Sequence, residues 1–75
     1  MQSLSNLTEG KSCIIEKILT KGNMRRRFLD IGLIEGTRVT CVGTSPMGDP
    51  KAFLIRSAVI AIRSEDSKNI LIREC

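Results

Sequence analysis

The apolar positions keep a helical period in one place only. Met24, Phe28 and Ile31 fall at i, i+4 and i+7, with Leu29 beside them, which predicts a short amphipathic helix. Gly32 stands where a left-handed residue would end that helix, because only glycine takes this conformation without a Cβ penalty. Leu33 follows, placed to pack back onto the last turn, and Gly36 turns the chain into a strand. Upstream, Gly22-Asn23 offers the Asn23 side chain as a cap.

Around this helix the pattern reads as short strands. Ser12–Leu19 is the first, with Cys13 and Ile15 on one face; Ile18 keeps that face only if a residue is inserted, which predicts a bulge or the strand's end. Thr37–Thr44 is the second, Lys51–Arg56 the third, Val59–Arg63 the fourth and Asn69–Glu74 the last. The turns have their own chemistry. Thr8–Lys11 is a turn, and before it Leu4 and Leu7 face the core from a single helical turn. In Ser45–Pro50, Pro46 sets φ, Gly48 permits positive φ, and Pro50 stops pairing before the next strand. Ser57-Ala58 reads as a short turn, and Ser64–Lys68 as one 3₁₀ turn capped by Ser64. About five strands and one inserted helix make a mainly β protein, a single small domain over residues 1–75. Strands this apolar on both faces would aggregate as open edges, so the sheet is expected to close into a barrel.

Composition narrows the function. A chain of 75 residues buries only about 60–65% of its unfolded surface. No apolar run approaches the ~20 residues of a membrane span, and Met1-Gln2-Ser3 lacks a signal-peptide pattern, so a cytoplasmic location is expected. The cysteines, at 13, 41 and 75, are far apart with no CxxC. Cys13 and Cys41 read as small buried hydrophobes, and Cys75 as a frayed terminal residue. The net charge of +4 favours an acidic partner. Nucleic acid is disfavoured, since the chain has two Phe, no Tyr and no Trp for base stacking.

Candidate chemistry is sparse. Glu65-Asp66 has no base or nucleophile near it, and no Gly-rich loop is followed by Lys-Ser or Lys-Thr, so neither catalysis nor nucleotide binding is expected. Histidine is absent and the acids show no ligand spacing; no cofactor and no metal site are expected. Two clusters remain as candidates for partner binding. Arg25, Arg26 and Arg27 follow the predicted helix start, where the dipole disfavours cations by about 0.3–1 kcal/mol, and arginine suits bidentate contact with carboxylates. As an ordinary helix surface, the same residues allow an Arg26–Asp30 pair. The Pro46–Pro50 loop presents Met47, an adaptable apolar contact, beside Asp49.

These segments together resemble the ferrous-iron transport protein A (FeoA) family. The run Arg26-Arg27-Phe28-Leu29-Asp30-Ile31-Gly32-Leu33 with Gly36, then Pro46-Met47-Gly48-Asp49-Pro50, Ile60-Ala61-Ile62-Arg63 and Ile70-Leu71-Ile72, carry the resemblance in order. The chain departs from the family at Glu35, often Pro there, and at Ser57-Ala58, where Gly is common. The resemblance implies an SH3-like barrel with a helix inserted after the first strand. It implies a cytosolic accessory to a membrane ferrous-iron permease (FeoB-type) that carries a cytoplasmic GTP-binding domain, touching the membrane only through that partner. The arginines, Met47 and Asp49 would face the permease, and the chain would be a monomer or weak homo-oligomer. Two alternatives stay open: a regulatory module related to the C-terminal domain of iron-dependent repressors, and a basic nucleic-acid-binding barrel. A proline-rich-peptide groove would need aromatics that the chain lacks.

Overall fold

A computed structural model describes residues 2–74; Cys75 lies outside the described residues. Its first elements are β1 (Gln2–Ser3), a 3₁₀ turn (Leu4–Asn6), β2 (Ser12–Ile18) and α1 (Gly22–Asp30). They are followed by β3 (Arg38–Thr44), β4 (Lys51–Ile55), β5 (Ala58–Ile62), α2 (Ser64–Ser67) and β6 (Ile70–Glu74). The strands form one antiparallel sheet in the order β1-β6-β2-β3-β4-β5. The expected mainly β fold with a helix between the first two long strands is what forms, with β1 as a further short strand on β6.

Two bulges curl the sheet. In β2 the register with β6 slips between Ile15 and Lys17, so the extra residue returns Ile18 to the inner face beside Cys13 and Ile15. This is the insertion that the spacing required. In β3 a second bulge falls between Cys41 and Gly43. The curled sheet wraps a core of Leu4, Leu7, Cys13, Ile15, Ile18, Val39, Cys41, Phe53, Ile55, Ile62, Ile70 and Ile72. Phe28 and Leu33 close it from the helix side, with Met24, Ile31 and Ile60 partly buried against it. Cys13 and Cys41 are buried within it. Leu29 departs from the predicted face and is 48% exposed, because one residue beyond Phe28 turns about 100° around the helix and away from the stripe.

Among the described residues the barrel does not close by backbone pairing: β1 and β5 are the two ends of the sheet. Side chains tie that side together instead. Lys51 Nζ, on β4, donates to the carbonyls of Ser5 (2.8 Å) and Leu7 (2.9 Å) in the N-terminal turn. An ammonium group with three donors suits two carbonyls that no strand reaches. No strand among the described residues pairs with the outer edge of β5, contrary to the expected closure.

Local turns depart from the reading in three places. The β4–β5 hairpin turns at Arg56-Ser57, one residue earlier than Ser57-Ala58, with φ of +47° and +72°. That is the signature of a type I′ turn, which matches strand twist but ordinarily takes Asn or Gly, so Arg and Ser gave no signal of it. At 64–67 the chain makes one α-turn, not a 3₁₀ turn, and Ser64 supplies no side-chain cap. Asn23 is no cap either: α1 begins at Gly22 and has no side-chain cap hydrogen bond.

The C-terminus of α1 follows expectation. Leu33 N–H donates to Phe28 O (2.8 Å) and Gly32 N–H to Leu29 O (3.0 Å), the paired bonds of a Schellman ending, with Gly32 at φ +86°. Leu33 is fully buried. Thr37 anchors the following loop, its hydroxyl donating to Gly32 O (3.2 Å) and accepting from Ile34 N–H (3.2 Å). Ile15 N–H donates to Thr37 O (2.9 Å) and Gly36 N–H to Ile15 O (2.8 Å), stitching the loop to β2. Arg56 Nε reaches across from the hairpin to donate to Gly32 O (3.1 Å). The helix is thus held to the barrel at its C-terminal end.

Candidate partner-binding surface

The α1 arginines separate in role. Arg25 Nη1 donates to Ile18 O (2.9 Å), so its guanidinium ties the helix to the end of β2. Arg26 and Arg27 are exposed, and among the described residues no side-chain hydrogen bond or ion pair holds them. The Arg26–Asp30 pair that the spacing allowed is not made; the ion pair among the described residues joins Arg73 to Glu16 (3.4 Å) across β6 and β2. The electrostatic conflict read from the sequence also changes. Because α1 ends at Asp30, Arg27 falls in its last turn, where a cation is favoured by the dipole. Arg27 is therefore not misplaced by the dipole, contrary to the expectation for all three arginines.

The Pro46–Pro50 loop divides likewise. It is braced internally: Gly48 N–H donates to Ser45 O (2.8 Å), and Ser45 Oγ donates to Asp49 O (2.8 Å). Met47 stands at its tip, 90% exposed. Asp49 turns to α2, where its Oδ1 accepts from Ser64 N–H (2.8 Å). A carboxylate at a helix start takes up an orphan N–H and suits the dipole, so Asp49 has a clear structural task.

Between α1 and β5 lies a groove of about 250 Å³. Met24, Phe28 and Ile31 from the helix and Ile60, Ala61 and Ile62 from the strand line it. Arg27, Arg63 and Asp66 add charge, two positive and one negative. A larger depression of about 690 Å³ lies elsewhere, beside Gln2, Asn6, Thr8, Lys11 and Glu74, with no apolar floor beyond Leu7. Of the residues singled out from the sequence, the structure brings Arg27 to the apolar groove and leaves Met47 and Asp49 outside its lining. The β5 side of the groove was missed. Its signal is a strand apolar on both faces, a pattern that a closed barrel wall shares.

Among the described residues no three His, Cys, Asp or Glu side chains gather to hold a metal ion, and no helix is long and apolar enough to cross a membrane. The surface offers exposed arginines, an exposed methionine and an apolar groove.

The sequence model of the FeoA domain matches residues 2–74. The chain belongs to the FeoA family. It is 31% identical over 67 residues to an Fe(2+) transport protein A/Fe(2+) transporter FeoB fusion protein of Porphyromonas gingivalis, an alignment covering 89% of this chain. The chain spans 8% of that relative's length. Among solved structures it resembles a FeoA-like protein from Clostridium acetobutylicum, at TM-score 0.87 and 27% identity, covering 97% of this chain and 85% of that one. It also matches Stenotrophomonas maltophilia FeoA complexed with zinc, described as an SH3 domain protein, at TM-score 0.85 and 22% identity over 97% of this chain and 91% of that one. The same fold recurs in a manganese-dependent transcriptional repressor, at TM-score 0.87 and 19% identity, covering 99% of this chain and 41% of that one. The FeoA-family barrel is thus SH3-like, and the family is associated with ferrous-iron transport.

Proposed function

We propose that this FeoA-family chain is a small cytosolic accessory protein of bacterial ferrous-iron uptake. It binds the cytoplasmic GTP-binding region of the ferrous-iron permease and modulates its activity. The observation that carries this reading is the relative in which an equivalent domain is joined to FeoB in one polypeptide. Fusion keeps two domains at high effective concentration, which is useful where the separate chains associate.

The surface supports a docking role. Among the described residues Arg26 and Arg27 are unpaired, and they present forked donors that match carboxylates. Met47, on its braced loop, is a second exposed contact. Binding by such charges is fast and salt-sensitive, because exposed pairs are screened over about 8–10 Å at physiological ionic strength.

The test is a titration of the full chain into the purified cytoplasmic region of the FeoB-type transporter, with GTP hydrolysis followed in both the presence and absence of the chain. Saturable binding that weakens with salt, together with a changed rate of hydrolysis, is expected. Absence of binding at low salt overturns the proposal. A parallel titration against random-sequence DNA separates it from a nucleic-acid role, for which submillimolar affinity with a steep salt slope is the signature.

A further inference from the structure

The edge of β5 is unusual for a small soluble barrel. The two-residue turn at Arg56-Ser57 makes Ile55 and Ala58 the hydrogen-bonded pair beside it, and bonding alternates from there through Phe53–Ile60 and Lys51–Ile62. The N–H and C=O groups of Val59 and Ala61 therefore point away from β4, and no strand among the described residues pairs with them. Natural sheets blunt such edges with proline, lysine, inward charge or a bulge. Ala58–Ile62 carries none of these: its sequence is AVIAI and its register with β4 is unbroken. Val59 is 61% exposed on the outer face, while Ile60 and Ile62 turn inward.

The groove runs beside this edge. At about 250 Å³ it falls below the ~300–1,000 Å³ of an ordinary small-molecule pocket. It suits side chains better, because an added strand places every second side chain on the groove side. Met24, Phe28 and Ile31 would receive these, and the lining, with Arg27 and Arg63 set against Asp66, is net positive and suits a carboxylate on the same segment. A second copy of the chain is the poorer fit. A second β5 edge laid antiparallel would bring Ala58–Ile62, which holds no carboxylate, against the groove of Arg27 and Arg63.

The geometry points to β5 as the acceptor of an added strand: an extended segment of the transporter's cytoplasmic region, apolar at alternate positions and flanked by a carboxylate. This rests on the association proposed above and names the surface and the chemistry of its occupant.

The experiment is amide hydrogen exchange on the full chain, with and without saturating purified cytoplasmic region of the FeoB-type transporter. The Val59 and Ala61 amides should exchange rapidly in the free chain and at least about tenfold more slowly in the complex. Ala61→Pro removes an outward N–H at an edge position where proline is tolerated. It should weaken binding about tenfold, the scale of one lost backbone hydrogen bond, while leaving the free chain folded. Binding with unchanged exchange at both amides, or binding indifferent to Ala61→Pro, overturns strand addition and leaves the association standing. No binding at all removes both. Protection at Val59 and Ala61 that grows with the concentration of the free chain assigns the edge to a second copy and also overturns the proposal. Should Ala61→Pro fail to fold, exchange in the unmodified chain decides.

Discussion

Replacing Gly32 with alanine should loosen α1 by two separable routes. The first is conformational. Gly32 lies at φ +86°, and a residue with a Cβ in the left-handed region costs about 1–2 kcal/mol. The second is steric. An added Cβ would clash with Arg56 Cδ and come within 2.9 Å of its Nε. The arginine arm is flexible and would swing aside, giving up the bond from its Nε to Gly32 O (3.1 Å). That exposed bond contributes about 0.5–1.5 kcal/mol. Together the two routes give about 1.5–3.5 kcal/mol. In a domain of this size each kcal/mol lowers the midpoint by about 4–8 °C.

Urea and thermal unfolding, followed by circular dichroism, measure the total for Gly32→Ala. Arg56→Ala and the double variant complete a cycle. With Arg56 truncated the clash is gone, so Gly32→Ala in that background should cost only its backbone share, about 1–2 kcal/mol. A single-variant loss below about 0.5 kcal/mol, the scatter of ordinary surface changes, would refute the left-handed ending as a stabilising feature. Strict additivity in the cycle would refute the contact with Arg56.

Other outcomes are expected from single contacts. Lys51→Met removes the ammonium that serves the Ser5 and Leu7 carbonyls and should cost about 1.5–3 kcal/mol, read from the urea midpoint. Asp49→Ala strips the acceptor from Ser64 N–H and should cost about 1 kcal/mol, while Asp49→Asn, which keeps an acceptor oxygen, should cost less by the same measurement. Met47→Asp should leave the thermal melt within about 0.5 kcal/mol of the parent while weakening binding to the transporter's cytoplasmic region; a large loss of stability would instead mark Met47 as packing. Arg26→Glu should weaken that binding at low salt, whereas Arg25→Glu should also destabilise the free chain, since Arg25 holds the Ile18 carbonyl.

The elements readable from sequence were those governed by neighbours a few residues away. The end of α1 is one: the Schellman bonds involve Phe28, Leu29, Gly32 and Leu33, all within one turn. The β2 bulge is another, because a period-two strand cannot bury both Ile15 and Ile18 without an inserted residue. The resemblance rested on such local segments, and residues 2–74 do match the family. Of the candidate surface, the arginine cluster and the exposed Met47 were legible. Their separation was not, because nothing near Arg25 or Asp49 in the sequence names Ile18 O or Ser64 N–H as their partners.

By itself, then, the sequence determined the number and kind of long elements, the glycine that ends the helix, the shared face of Cys13, Ile15 and Ile18 in the first long strand, and the family. Each follows from periodicity or from a backbone conformation that one residue type takes most easily. Only the tertiary structure decided which strands are the sheet's ends and what lies across from them. An alternating or doubly apolar strand has the same pattern whether its edge is paired or open, so β5 could be read as a closed wall. Its open edge, and the groove it shares with α1, exist because two bulges and the hairpin at Arg56-Ser57 set the curl of the sheet. Those are relations between residues distant in the chain, and local pattern does not encode them.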